Sequence, residues 1–486
     1  MIGRHTVAAV LLVGLIAAVI AAGYAWPQST ATATAASPEG DVVERTTVCP
    51  ALRNVGDGTE SVTAFVDPAA SSSSGSITGG ADGDQALPGP GQALRVVPDP
   101  SNAAISITAT GDAVGATASV REYLDRGEEG RGLALASCVP ARADWWFVGV
   151  SGLPGRIDEL LLANPTDSPA VVAVEMLGPA GPIDLVGSGA VVQPGEQEIV
   201  RLDSLIPGVS AAALHVTTSG GVIAAALRST VIDGLIPLGA EFIPAAAAPA
   251  MQHTVPGVPA GTGPRDLFLA AGEQDAAVEI EFLTPNGSRA WESGLIPVPA
   301  EHVVVVDIAE DLQGAPAAVR IAANHPVTAG VRASEAAALP ADATGVLNRV
   351  PVADYAWSAA QEPLADRAVL PLSGVSAAAG TVAVTGPQGD VTVAIVTRSA
   401  DGTSDRQEVA VPGGTVREVA VPVTDRSASL ITVQRLSGAQ PWYASVTQRG
   451  VLQERPILAT ALGADPSTKV RIPPAQPVLH ALGGAG

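Results

Sequence analysis

Nucleophilic or metal chemistry in this 486-residue chain is sought among its serines, six histidines, two cysteines, one lysine and the acidic residues. No Gly-x-Ser-x-Gly elbow occurs. Lys469 has Pro466 three residues before it, so no Ser-x-x-Lys pair exists. His5, His215, His253, His302, His325 and His480 form neither His-Glu-x-x-His nor His-x-His. Glu301-His302 with Asp307 is the nearest thing to a ligand set, but His302 begins a strand and Asp307 ends it. Asp82-Gly83-Asp84 resembles a fragment of a calcium loop and lacks the later ligand and terminal Glu. Acidic pairs such as Asp158-Glu159 and Glu310-Asp311 sit near turns. A glycosidase needs two carboxylates facing across a cleft, which small serial domains do not obviously offer. No Gly-rich loop precedes a lysine, so nucleotide binding is unsupported. The expectation is a protein that is not an enzyme, with no metal and no cofactor.

Aromatic side chains are 3% of the chain, so clusters of them stand out. Trp145 and Trp146 are the candidate glycan-stacking residues, since sugar rings lie on aromatic faces. Trp291, Trp357, Trp442 and Tyr443 belong to the same hypothesis. The competing reading is that each ring plugs its own core or a domain junction, which an aromatic-poor protein favours.

The elements that would carry these residues are short strands. From Asp144 to Arg228 they alternate with turns: Gly178-Pro179-Ala180-Gly181, Pro194-Gly195, Pro207-Gly208 and Ser219-Gly220-Gly221. Glu198 to Asp203 largely alternates polar and apolar, the mark of a half-buried strand. The same pattern recurs around Leu267 to Arg332 and Val391 to Gln448, and more loosely around Val62 to Arg121. Closing strands about 105 to 115 residues apart match one sandwich domain each. The expected fold is all-β: tandem immunoglobulin-like β-sandwich domains, arranged as beads, after an N-terminal transmembrane helix.

Composition bounds the partners. A net charge of -22 argues against nucleic acid and anionic lipid as general partners. Hydrophobic residues make up 47%, enough for a core in every domain. Cys49 and Cys138 bracket the first copy, and in an oxidising compartment a disulfide is expected, with two unrelated buried thiols as the alternative.

Met1 to Trp26 reads as a membrane anchor, with Arg4 inside and interfacial Tyr24 and Trp26 outside; a cleaved signal, cut after Ala35, is the alternative. Residues 27–43 form a Ser/Thr/Ala/Pro stalk. The sandwiches are assigned to 44–142, 143–243, 265–350 and 351–464. A Pro/Ala linker at 244–264 separates the second from the third, and a Pro/Gly-rich tail follows at 465–486. Ser71 to Gly91 is expected to be a long flexible loop. Asp354-Tyr355-Ala356-Trp357 echoes Asp144-Trp145-Trp146 and is expected to open the fourth domain.

Cys49-Pro50, Cys138 before Asp144-Trp145-Trp146-Phe147, Leu160 to Pro165 and Pro194-Gly195 together resemble a family of actinobacterial cell-envelope proteins of unknown function. The resemblance implies location and fold and supplies no site. The expected role is a non-catalytic extracytoplasmic scaffold. It would sit in the plasma membrane through its N-terminal helix and contact an envelope protein through edge strands and turns. The second expectation is an accessory protein that binds cell-wall glycan.

Overall fold

The computed structural model describes residues 39–41, 43–52, 58–68, 70–99, 104–127, 130–185, 187, 189–336, 352–373, 379–398, 404–421, 429–452, 454–465 and 469–471. The expected anchor or signal, most of the stalk and the end of the tail lie outside these residues. Among the described residues no helix is long and apolar enough to cross a membrane. Two compact units are present. In one, Glu39–Asp41 pairs antiparallel with Lys469–Arg471. The other is Val42–Thr468.

Val42–Thr468 contains four β-sandwiches with one shared topology. In the first, the eight strands are Glu44–Cys49, Thr59–Val66, Ser74–Thr78, Gln85–Ala86, Ala93–Val96, Ile105–Thr110, Thr117–Asp125 and Gly132–Ser137. Their order is one-six-three-four in one sheet and five-two-seven-eight in the other, all antiparallel. The second sandwich runs from Asp144–Val150 to Ile236–Ile243 and repeats that order, with its fourth strand split into Gly181–Ile183 and Gly189–Val192. The third runs from Ala250–Val258 to Val352–Ala359. Its sixth and seventh strands are fused in Ala317–Ala336, which passes from one sheet to the other around Pro326. Proline cannot donate to a ladder, so it suits the crossing point. The fourth runs from Arg367–Leu372 to Arg455–Leu462 in the same order.

The sandwiches were legible as sandwiches, but their strand order is not that of immunoglobulin domains. There the first two strands pair; here the first pairs with the sixth and the second lies in the opposite sheet. Turn chemistry and alternation mark strands and leave the partner open.

Three boundaries also differ. The stretch 244–264 holds Ala250–Val258, the first strand of the third sandwich, hidden in the sequence by its Ala, Pro and Gly surroundings. Asp354 to Trp357 belongs to Val352–Ala359, so this motif closes the third domain and does not open the fourth. Ser71 to Gly91 contains the third and fourth strands of the first sandwich. Its glycines are needed for pairing: at Gly75, with φ +151°, an added Cβ would sit 2.0 Å from the Thr108 carbonyl oxygen.

The sandwiches are not beads. In each, the eighth strand is the edge of its sheet. Gly132–Ser137 packs on Ile236–Ile243, which packs on Val352–Ala359, which packs on Arg455–Leu462, which returns to Gly132–Ser137. The four edges therefore meet around a common axis, and the first and fourth domains touch. Meeting there solves the edge-strand problem, because unpaired strand edges otherwise invite association. The disulfide between Cys49 and Cys138 ties the start of the first sandwich to its exit; with a separation of 89 residues it is worth about 4.6 kcal/mol in the chain-entropy account.

Candidate functional site

Buried polar groups line the axis. Glu241, on the eighth strand of the second sandwich, is 0% exposed. It accepts from the backbone N–H groups of Phe242 (2.8 Å) and, in the fourth sandwich, Thr460 (3.3 Å). Asp354, also 0% exposed, accepts from Tyr355 (2.9 Å) and from Leu458 of the fourth sandwich (2.9 Å). The carboxylates thus satisfy edge N–H groups that no strand pairs. Burial pushes both well above the ordinary carboxylate range. For Glu241 the nearby Asp354 pushes the same way, against its backbone hydrogen bonds. Gly239 makes room for this packing. Its φ is +127°, and a Cβ there would lie 2.0 Å from Asp354 Oδ1.

At the end of the axis where the eighth strands leave is a cavity of about 400 Å³. The segments that follow each eighth strand converge on it: Cys138 to Pro140 and Arg142, Pro244 to Ala247, Gln361 to Leu364, and Gly463 to Asp465. Its walls are mostly apolar, with Phe242, Leu364 and Leu462 among them, and the disulfide forms part of one side. Three arginines face it. Arg45 donates to the Asp465 carbonyl at 3.3 Å. Arg142 lies over Trp145, its guanidinium carbon 3.8 Å from the ring centroid. Arg142 is exposed as a residue, but partial desolvation of its guanidinium lowers it from its ordinary range, opposed by Asp144 and Glu362. Arg121 is 1% exposed, pairs with Glu60 at 2.5 Å and sits over Phe242 at 4.4 Å.

The two candidate stacking residues part company. Trp145 is 1% exposed and stacks with Phe147 in the core of the second sandwich. Its Nε1–H donates to the Ile223 carbonyl at 3.1 Å and Arg142 covers a face, so it offers none to a sugar. Neighbours on a strand point to opposite sides, and Trp146 is half-buried on the outer face, stacked on His215 at 4.1 Å. His215 is held between Asp144 at 2.9 Å and Glu175 at 3.5 Å. Trp357 and Trp442 are core plugs, and half-buried Trp291 donates to Asp311.

Sequence reasoning missed Arg142, Arg121, Glu241 and Asp354. One signal was available: the seventh strands carry Arg121, Arg228, Arg332 and Arg449 at the repeat spacing. In the first three domains this arginine pairs with an acid of the second strand: Glu60, Glu159 and Asp266.

Residues 93–422 match a family of unknown function, DUF5719, which is more than half of the chain. The chain belongs to that family. The DUF5719 match begins at the fifth strand of the first sandwich, Ala93–Val96, and ends just after the fifth strand of the fourth, Thr415–Val421. It includes Arg121, Arg142, Glu241 and Asp354, and leaves out Arg45 and Asp465. Among curated proteins none matches. Among solved structures, a tetra-tandem repeat in the extending region of a large adhesion protein is 10% identical, with 88% of this chain and 96% of that chain covered. Its TM-score is 0.10, at which it carries no argument.

Proposed function

We propose that this DUF5719 protein is a non-catalytic extracytoplasmic envelope protein, held in the plasma membrane by its N-terminal segment, in which four sandwiches form one rigid interaction scaffold. The observation that carries this reading is the closed contact circuit of the four eighth strands. A chain of independent domains would reach; a closed circuit presents fixed surfaces to a partner. The disulfide supports an oxidising compartment, and the apolar N-terminal stretch with Arg4 before it supports an anchor. The axial carboxylates are committed to backbone N–H groups, which favours a structural role over acid–base work.

A second reading, binding of cell-wall glycan, rests on one patch: Trp146 with His215, Asp144 and Glu175, an aromatic face ringed by hydrogen-bonding groups. The test is a pull-down of residues Glu39 to Gly486 on isolated sacculi, alongside crosslinking in intact cells with a carboxylate-reactive reagent. The scaffold reading expects a crosslinked protein partner and no saturable binding to sacculi. Saturable binding that soluble wall glycan competes and Trp146→Ala abolishes would replace it with the glycan reading. Absence of both sinks each.

A further inference from the structure

The axial cavity has a chemistry that the scaffold role does not use. Its walls are mostly apolar, with three arginines among the polar groups. Arg142 makes no ion pair among the described residues. Its guanidinium sits over the Trp145 ring, and no side-chain hydrogen bond takes up its N–H groups among the described residues, which leaves them for a carboxylate or phosphate that a guanidinium can bind in bidentate fashion. Arg142 is an exposed residue on the wall, whereas Arg121 Nε and Ser137 Oγ are buried there and have no hydrogen-bond partner. Buried donors usually find an acceptor, although Nε of Arg156, Arg228 and Arg398 is also without one in this fold. The carboxylates on the wall, Glu362 and Asp465, come from the last two converging segments. Arg121 already meets Glu60, and Asp144 and Glu362 act on Arg142, so an anionic head would be recognised by the uncommitted N–H groups of Arg142 and not by an excess of positive charge. The volume falls at the lower end of small-molecule sites, roughly 300–1,000 Å³.

We infer that the cavity binds an anionic amphiphile: an aliphatic body seated among Phe242, Leu364 and Leu462, with one carboxylate or phosphate head on Arg142. The head takes up the free guanidinium N–H groups, and the tail removes apolar wall from water. Such a molecule could be a free acylated acid or a lipid of the bilayer; the recognition chemistry is the same.

The test is calorimetric titration of the full chain, carried in neutral-lipid nanodiscs with empty discs as the blank. The probes are octanoate, octyl phosphate, octylamine and inorganic phosphate. Octanoate and octyl phosphate are expected to bind saturably, with octylamine and inorganic phosphate at least tenfold weaker. Arg142→Gln is expected to weaken octanoate at least tenfold with unchanged melting, and Arg142→Lys to restore part of the loss. Equal binding of octylamine, inorganic phosphate as tight as octyl phosphate, indifference to Arg142→Gln, or no heat from any probe overturns the inference. Discs that include phosphatidylglycerol identify the source. Weaker octanoate binding there marks a bilayer lipid as the occupant; unchanged binding marks a free amphiphile.

Discussion

Two seams of Val42–Thr468 are built differently. Between the first and second sandwiches, which are consecutive in the chain, charged groups are desolvated and exchanged. Arg121 of the first lies over Phe242 of the second at 4.4 Å, and Arg228 of the second lies over Tyr123 of the first at 4.5 Å. Arg228 also donates to the Tyr123 hydroxyl at 2.8 Å, which donates on to Asp125 at 2.7 Å. Gln197 holds the backbone of Ala51 with both ends of its amide. Between the fourth and first sandwiches, which are far apart in sequence, the contact is an apolar patch of Phe65, Val120, Val369 and Leu430. Beside it lies an ion pair, Arg367 to Asp67 at 2.9 Å, whose side chains are 24% and 12% exposed. Arg131 adds hydrogen bonds to the Leu452 and Pro456 carbonyls. A buried ion pair depends on its hydrogen-bond geometry, whereas apolar surface tolerates small shifts. The circuit thus sets its angle where the chain is continuous and closes where the fit can absorb error.

The largest expected effect concerns the ion pair within the first sandwich that holds Arg121 against Phe242 at the first seam. Glu60→Gln leaves the Arg121 guanidinium buried without its counter-charge, and removal of one partner from such a pair costs about 3–5 kcal/mol. Urea unfolding should show that loss. A change under about 1 kcal/mol would mean the first seam does not rest on this pair.

The next test sits on the axis and bears on how the fourth sandwich is held. Glu241 and Asp354 accept from its eighth strand, and burial raises both above the ordinary carboxylate range. In the unfolded chain these groups lose their protons near pH 4, while in the fold they stay neutral to higher pH. The folded state then binds more protons, so stability is greatest below the unfolded value and falls as pH rises toward the folded value. Each group contributes a slope of up to about 1.4 kcal/mol per pH unit over that window. Melting temperatures measured from pH 5 to pH 8 should fall, and Glu241→Gln should flatten the trend. A trend of the same slope in the variant would assign the pH dependence to other groups.

What could be read in the sequence was local. Repeat spacing and Gly/Pro turns located the strands of the second sandwich, and its third strand, Ala170–Gly178, alternates buried and exposed as expected. The cysteine pair followed from the expectation of an oxidising compartment. The circuit was not legible, because its contacts join residues far apart with no pattern of their own: Arg131 with Pro456, Glu241 with Thr460, Tyr355 with Ser229. Each looks like an ordinary polar residue in a strand until the neighbouring edge is in place. Trp145 and Trp146 show the same limit at short range. Their types announced a role, but which ring faces out depends on register, and a slip of one residue would reverse it.

The smallest expected effect belongs to the closing seam. Asp67→Asn removes the charge that Arg367 meets, but that arginine keeps the Gly115 carbonyl and part of its hydration. Partly exposed pairs are worth about 1 kcal/mol or less, and added salt should shrink the difference further because screening acts on exposed charge. Urea unfolding of Asp67→Asn in low and high salt, beside Glu60→Gln, gives the contrast directly. If both substitutions cost the same and neither responds to salt, closure is as desolvated as the first seam. The circuit would then have no yielding joint, and the packing of Phe65, Val120, Val369 and Leu430 would have to meet the fourth domain in one fixed geometry.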